Sequence, residues 1–397
     1  MSSLAIFTVK LFHVHEGKYY TEGGFGKYLT SMSAAFDHVR LVCKLKRAPP
    51  LPGYYEVALP NVTLMGTPAW PTQLGALLSQ PIVALRGLDA IRKSDVVHAR
   101  MPDWTGITGA WLARITGTPS FHQIVDDWNG LAKSIPPLRH FGLGLPLKYA
   151  LYFYDFLERK VSEDQLVFAQ GAVAFDKHKA ASERVLILST AHSRADIGSV
   201  RQKFVSERFC ILNVARMHSV KNQQLLVHAL SRLRQHDQRW HLRIVGEGAR
   251  RDELHSLASQ LGVSDSVEMP GLIEHGPPLW KEYDTADVFA LTSLSEGTPK
   301  VVLEAMARGC PVVASAVSGV PTAIGDNQRG ILFESQNLEG LIDGLTQMAR
   351  DGAFRHNCQQ QGLEFALDHT IETSSMRMLE KLLHRWPQLA PLRTPDA

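Results

Sequence analysis

Short apolar runs alternate with longer stretches of helical period along the whole chain, the pattern of strands and helices laid down in turn in a layered α/β architecture. In the first half the runs predict strands over 4–9, 39–43, 62–65, 95–98, 119–125, 166–169 and 185–188, with helices between them, as over 26–36 and 106–115. A second series predicts strands over 209–214, 241–245, 267–269, 288–291, 311–314 and 330–333, separated by helices over 223–235, 251–261, 298–308 and 338–350. The polar stretch 190–207 lacks periodicity and reads as the linker between the two series. A last helix is predicted over 370–384, before a loosely held tail, PQLAPLRTPDA. Two sheets of similar size imply two Rossmann-like, doubly wound domains facing a central cleft, with ligands at the carboxyl ends of the strands. The expected bounds are an N-terminal domain over 1–195 and a second domain over 196–375. A C-terminal helix and tail over 376–397 are expected to pack back on the first domain.

Composition narrows the class. The chain has 397 residues, 45% of them hydrophobic and 20% charged, which suits a protein of more than one core. A net charge of +3 is too small to argue for a nucleic-acid partner but is compatible with anionic ligands or an anionic membrane surface. The four cysteines form no CxxC pair and read as buried thiols of a reducing, cytoplasmic compartment. The N-terminal MSSLAIFTVKLF is not read as a signal peptide, because its apolar run is short and Lys10 interrupts it. No apolar run reaches the eighteen residues of a membrane-spanning helix.

The chemistry-bearing motifs cluster in the second half. In LSEGTPKVVLEAMARGC a strand ends in a loop carrying Glu296 and Gly297. Thr298 is the candidate N-cap of the next helix, Pro299 its first residue, with Lys300 following. A helix start suits a phosphate, since its first N–H groups are unpaired and the dipole is positive there. Glu296 would repel an adjacent phosphate and is therefore expected to face neutral hydroxyls. Glu304, two turns on, can accept from a vicinal diol such as a ribose. In NVARMHSVKN, Arg216 and Lys221 follow the strand 209–214, and two cations at a strand's carboxyl end can neutralise a diphosphate. IVGEGARRDEL offers Gly246 and Gly248 but has Arg251 where a dinucleotide fingerprint needs its third glycine, so a turn for close approach to a nucleotide is the better reading.

In the first half, TEGGFGKYL places Gly23 and Gly24 before a helix, where backbone N–H groups can approach a ligand. His98 and His122 stand near strand ends, and Asp126 and Asp127 follow His122. No HxxxH, HExxH or Cys/His cluster suggests a metal. The segment 136–160 mixes Arg139, Lys148, Arg159 and Lys160 with Tyr149, Tyr152, Phe153, Tyr154 and Phe156 and is a candidate for peripheral membrane contact.

Taken in order, NVARMHSVKN, IVGEGARRDEL, VEMPGL, YDTADVFALTSLSEGTPKVVLEAMARGCPVVAS and SGVPTAIGDNQRGILF resemble the retaining glycosyltransferases of family 4, which have the GT-B fold. The resemblance is strongest over about 209–335. It implies a nucleotide-sugar donor, a glycan or lipid-linked acceptor and no metal or other cofactor. It further implies that Arg216 and Lys221 bind the diphosphate, Glu304 the ribose and Glu296 the donor sugar. Backbone N–H groups of Gly297–Lys300 would contact sugar and phosphate, and Gly23 and Gly24 would close over the diphosphate. Gly246 and Gly271 would belong to the donor-binding turns. A histidine near the reacting sugar is expected, His122 first and His98 second, with Asp126 or Asp127 taking part of the polar role. The implied setting is bacterial surface polysaccharide or glycolipid assembly at the inner face of the membrane. A nucleotide-sugar epimerase of the same fold and a non-catalytic nucleotide-binding protein remain as alternatives.

Overall fold

The computed structural model describes residues 2–51, 53–70, 73–125, 144–188, 190–200, 208–296 and 299–389. The chain divides into two units, Met1–Ser189 with Glu372–Ala397, and Thr190–Ile371. Among the described residues the first unit holds a nine-stranded sheet. Its strands are β1 (Ser3–His15), β2 (Lys18–Glu22), β3 (His38–Arg47), β4 (Tyr54–Glu56), β5 (Val62–Pro68), β6 (Val96–Met101), β7 (Ser120–Ile124), β8 (Leu166–Gln170) and β9 (Glu183–Ile187). A parallel path runs β5-β3-β1-β6-β7-β8-β9. β2 and β4 extend it antiparallel from the far end of β1. That extension lies beyond the predicted strand 4–9. β1 is offset after Phe7, resumes pairing with β3 at Leu11 and turns back through Glu16 and Gly17. Both turn residues have positive φ (49° and 77°), as a two-residue hairpin turn demands.

The inner strands β6, β7 and β8 are buried along nearly their whole length, as parallel strands covered on both faces must be. Helix Trp104–Thr116 shows how local sequence sets an element's limits. The Asp103 carboxylate accepts from the Gly106 N–H at 2.8 Å, and Gly117 ends the helix in the left-handed region at φ 70°. Helix Ile371–Arg385 inserts Met378, Leu379 and Leu382 into the core of this unit. Lys381 pairs with Glu183 at 2.7 Å. The segment read as 376–397 therefore contributes its helix to the first unit from Glu372 on. Of the tail, residues 390–397 lie outside the described residues.

Among the described residues the second unit has six parallel strands: β10 (Phe209–Val214), β11 (Trp240–Val245), β12 (Val267–Gly271), β13 (Val288–Leu291), β14 (Val312–Ser315) and β15 (Ile331–Phe333). Their order is β12-β11-β10-β13-β14-β15. The chain thus builds outward from β10 in one direction, then returns and builds outward in the other. The reversal falls between β10 and β13, which makes the carboxyl ends of those two strands the switch point of the sheet. Helices Gln224–Arg234 and Leu338–Arg350 bury Leu226, Leu230, Leu341 and Leu345 in the core of this unit.

Candidate functional site

The loops leaving β10 and β13 are stitched together. The Thr292 hydroxyl donates to the carbonyls of Lys221 and Asn222 at 3.0 and 3.1 Å, and the Leu294 N–H donates to the Val220 carbonyl at 2.8 Å. Lys221 closes a single 3-10 turn, Ser219–Lys221, and Asn222 turns the chain with φ 49°. These bonds bring Lys221 to Glu296, 75 residues away in sequence, with Nζ 2.6 Å from Oε1. The Ser293 hydroxyl donates to the same oxygen at 2.5 Å. Arg216 stands exposed on the β10 loop. Two cations and a carboxylate thus share the switch point.

The Arg216 loop is fixed from the other side by the residues after β11. Met217 N–H donates to the Glu247 carbonyl at 2.9 Å, and Gly246 N–H donates to the Gly271 carbonyl at 2.9 Å. A Cβ on Gly246 would lie under 3.0 Å from the Ala215 carbonyl, and one on Gly248 would meet the Met217 carbonyl as closely. Gly246 and Gly271 have φ of 136° and 90°. The GEG turn, expected to let a nucleotide come close, is packed against backbone: its glycines let two loops touch.

The helix after Glu296 spans Lys300–Ala307. Pro299 is its N-cap residue rather than its first residue, because its ψ of 89° is not helical, and no side chain caps this end. Gly297 and Thr298 lie outside the described residues. Glu304 sits on the buried face of the helix, 4% exposed. It accepts from the Tyr283 hydroxyl at 2.9 Å, and His275 Nε2 faces its other oxygen at 3.4 Å. Neither Tyr283 nor His275 is marked by a sequence motif; only the fold brings helix Pro277–Thr285 against Lys300–Ala307.

In the first unit, Gly23 and Gly24 are the opening residues of helix Gly23–Ser33 rather than a loop before a helix at 26. The helix starts early because Glu22 ends β2 directly at its N-cap. Neither candidate histidine reaches the surface. His98 stacks on Phe121 with ring centres 4.4 Å apart, on the side of β6 that faces Tyr28. His122 projects from the opposite face, since neighbours on a strand alternate. Its Nδ1 lies 3.0 Å from the Ser162 hydroxyl. Burial, with lesser repulsion from His178 and Arg114, pushes its pKa down to about 3, so it is a neutral core residue. Both rings are 0% exposed, so the expectation that one of them faces a sugar is not met in this conformation. Asp126 and Asp127 lie outside the described residues. Close to His122, Lys177 joins two buried carboxylates, Asp155 at 2.8 Å and Glu158 at 2.7 Å. Among the described residues no group of three or more His, Cys, Asp or Glu side chains is placed to hold a metal ion.

Two parallel α/β units, one with a cationic switch point, define the GT-B fold of glycosyltransferases, and solved structures agree. Anabaena HepE in complex with UDP matches with a TM-score of 0.69 at 17% identity, over 97% of this chain and 100% of that one. The model of the glycosyl transferases group 1 family matches residues 198–365. A D-inositol 3-phosphate glycosyltransferase of Corynebacterium aurimucosum is 31% identical over 191 residues, 46% of this chain and 44% of that protein. A Campylobacter jejuni enzyme, named as an N-acetylgalactosaminyltransferase acting on a diphospho-undecaprenol-linked sugar, is 34% identical over 146 residues, 36% of this chain and 38% of its own. The matched stretch is thus less than half the length of either relative.

Proposed function

We propose that this chain is a retaining, metal-independent hexosyltransferase that moves a sugar from a UDP- or GDP-sugar to a hydroxyl of a glycan or lipid-linked acceptor. The setting proposed is assembly of a bacterial surface polysaccharide or glycolipid. The observation that carries this reading is the Lys221–Glu296 pair at the reversal of strand order, with Arg216 on the same β10 loop, where open parallel sheets bind ligands. Breaking a sugar–phosphate bond puts negative charge on the departing diphosphate, and fixed cations stabilise that charge as it grows. Arg216 can grip it as a planar fork and Lys221 as a point charge. Glu296 holds hydroxyls of the donor sugar and tolerates the positive charge developing at its anomeric carbon, while Glu304 accepts from the ribose. In the step, the bond from the anomeric carbon to the phosphate oxygen breaks with its electron pair passing to that oxygen. The acceptor oxygen bonds to the anomeric carbon on the same face, and its proton passes to the phosphate oxygen. No nucleophile on the protein is required.

The relative named for a diphospho-undecaprenol-linked sugar supports a lipid-linked acceptor, and with it a place at the inner membrane face. No helix among the described residues is long and apolar enough to cross a membrane. Helix Gly144–Val161, within the segment 136–160, does expose Tyr149, Phe153 and Phe156, at 64%, 55% and 51%. Arg159 and Lys160 in its last turn are paired with Asp155 and Glu163, so the exposed aromatic side chains carry the case for a helix that rests on headgroups.

A thermal-shift screen of UDP-, GDP-, ADP- and dTDP-sugars identifies the donor, because a ligand that binds the native state raises its melting temperature. The Arg216→Ala/Lys221→Ala double variant is expected to stay folded and lose transfer. Turnover at the wild-type rate in that variant would sink the mechanism, and epimerisation of the donor sugar without any acceptor would replace transferase by epimerase.

A further inference from the structure

Glu304 is nearly sealed inside the second unit, yet its carboxylate is not spent on the protein. An ionised carboxylate offers about four acceptor positions. The fully buried Tyr283 fills one on Oε2 with a hydrogen bond of 2.9 Å. His275 Nε2 lies 3.4 Å from Oε1, a buried nitrogen with no hydrogen-bond partner. A lone pair facing the carboxylate would be repelled, whereas a proton on Nε2 would make the ring a donor within reach of Oε1. The imidazole cannot swing away freely, since Trp280 lies edge-on to it at 4.9 Å and is itself anchored by donating from Nε1 to Asp196 at 2.9 Å. With Tyr283 on Oε2 and His275 able to take one position on Oε1, about two acceptor positions remain, the number a vicinal diol needs.

We propose that Tyr283 and His275 are positioning residues that aim Glu304 at the ribose of the donor, so that the diol is read by the unit Tyr283–Glu304–His275. This rests on the reading of Glu304 given above. The two outer residues touch the carboxylate from within the protein. Their removal therefore acts on donor affinity through the ribose hydroxyls and leaves the charge stabilisation at Arg216 and Lys221 in place. Burial keeps the Tyr283 phenol protonated, with its pKa well above the ordinary value, so it remains a donor to Glu304 at any working pH.

The test compares the nucleoside diphosphate that the wild type binds in the screen, UDP first, with its 2′-deoxy counterpart, by calorimetry. Tyr283→Phe and His275→Leu are each expected to weaken the ribonucleotide about tenfold, the range for a lost hydrogen bond to a charged group. They should weaken the deoxy form far less, so that both variants discriminate less between the two. Turnover at saturating donor should stay within about twofold of wild type, and His275→Gln, which keeps an N–H, should recover part of the loss. Equal weakening of both nucleotides, or unchanged discrimination in both variants, overturns the proposal while leaving the transferase reading intact. His275→Leu alters a side chain 25% exposed, so the result does not hang on how well Tyr283→Phe folds. A wild type that binds no nucleoside diphosphate overturns the reading of Glu304 and this inference with it.

Discussion

Replacing Gly246 by alanine should do far more damage than the same change at Gly262. Gly246 has φ 136°, where an L residue is strained by roughly 1–3 kcal/mol. Its new Cβ would also lie under 3.0 Å from the Ala215 carbonyl, part of the very loop that carries Arg216. Relieving that clash means moving backbone, at about 1–3 kcal/mol, the cost typical of overpacking. The sum is roughly 2–6 kcal/mol. Gly262 supplies the control: its φ is 70°, and nothing lies within 4 Å of a Cβ built there. Gly262→Ala should therefore cost only the left-handed backbone preference, about 1–2 kcal/mol. At about 2–4 °C per kcal/mol for a unit of this size, the melting temperatures of the two variants should be separated by several degrees. Because the shift must be absorbed at residues 215–217, nucleoside diphosphate affinity should fall in Gly246→Ala and stay level in Gly262→Ala. Equal melting temperatures, or unchanged affinity in a destabilised Gly246→Ala, would refute the claim that this turn positions the Arg216 loop.

His122 gives a pH signature. Its pKa is pushed down to about 3 in the folded chain against 6.5 for the free side chain, so the stability it contributes is complete above pH 6.5. Below that only the unfolded chain takes up the proton, and stability is lost as pH falls toward 3, by at most about 1.4 kcal/mol per pH unit. His122→Gln should flatten a urea-denaturation profile by that slope between pH 6 and pH 4; an unchanged profile would show that the ring is not the buried neutral group described. For the exposed aromatic helix, flotation with anionic vesicles should fall when Phe153 and Phe156 are both changed to serine, and should also fall at high salt. Equal flotation of variant and wild type would remove membrane contact by this face.

Periodicity alone located most of the strands in both units, because parallel strands buried on both faces are nearly continuous apolar runs and are hard to confuse with the amphipathic helices between them. The antiparallel β2 and β4 escaped, since they are short, half-exposed and rich in tyrosine and charge. Helix ends were read less well. Thr298-Pro299 has the composition of a helix start, yet the backbone at Pro299 is still extended and the helix begins at Lys300.

The site divides in the same way. That Arg216, Lys221 and Glu296 stand in the loops after β10 and β13, and Glu304 on the following helix, was legible because position relative to a strand end and a helix start is a local feature. The histidines were not, because a strand's two faces look alike in one dimension, and whether a ring meets solvent or a neighbouring layer depends on helices far along the chain. His122 lies beside Ser162 and His98 against Tyr28, contacts that span 40 and 70 residues. Tyr283 and His275 were invisible for the same reason. The sequence by itself determined the alternation of elements, the two-domain plan and the charged residues of the β10 and β13 loops. Only the tertiary structure decided that those loops adjoin, that Lys221 faces Glu296, and that Glu304 is held from behind, because strand order and helix packing are set by long-range burial.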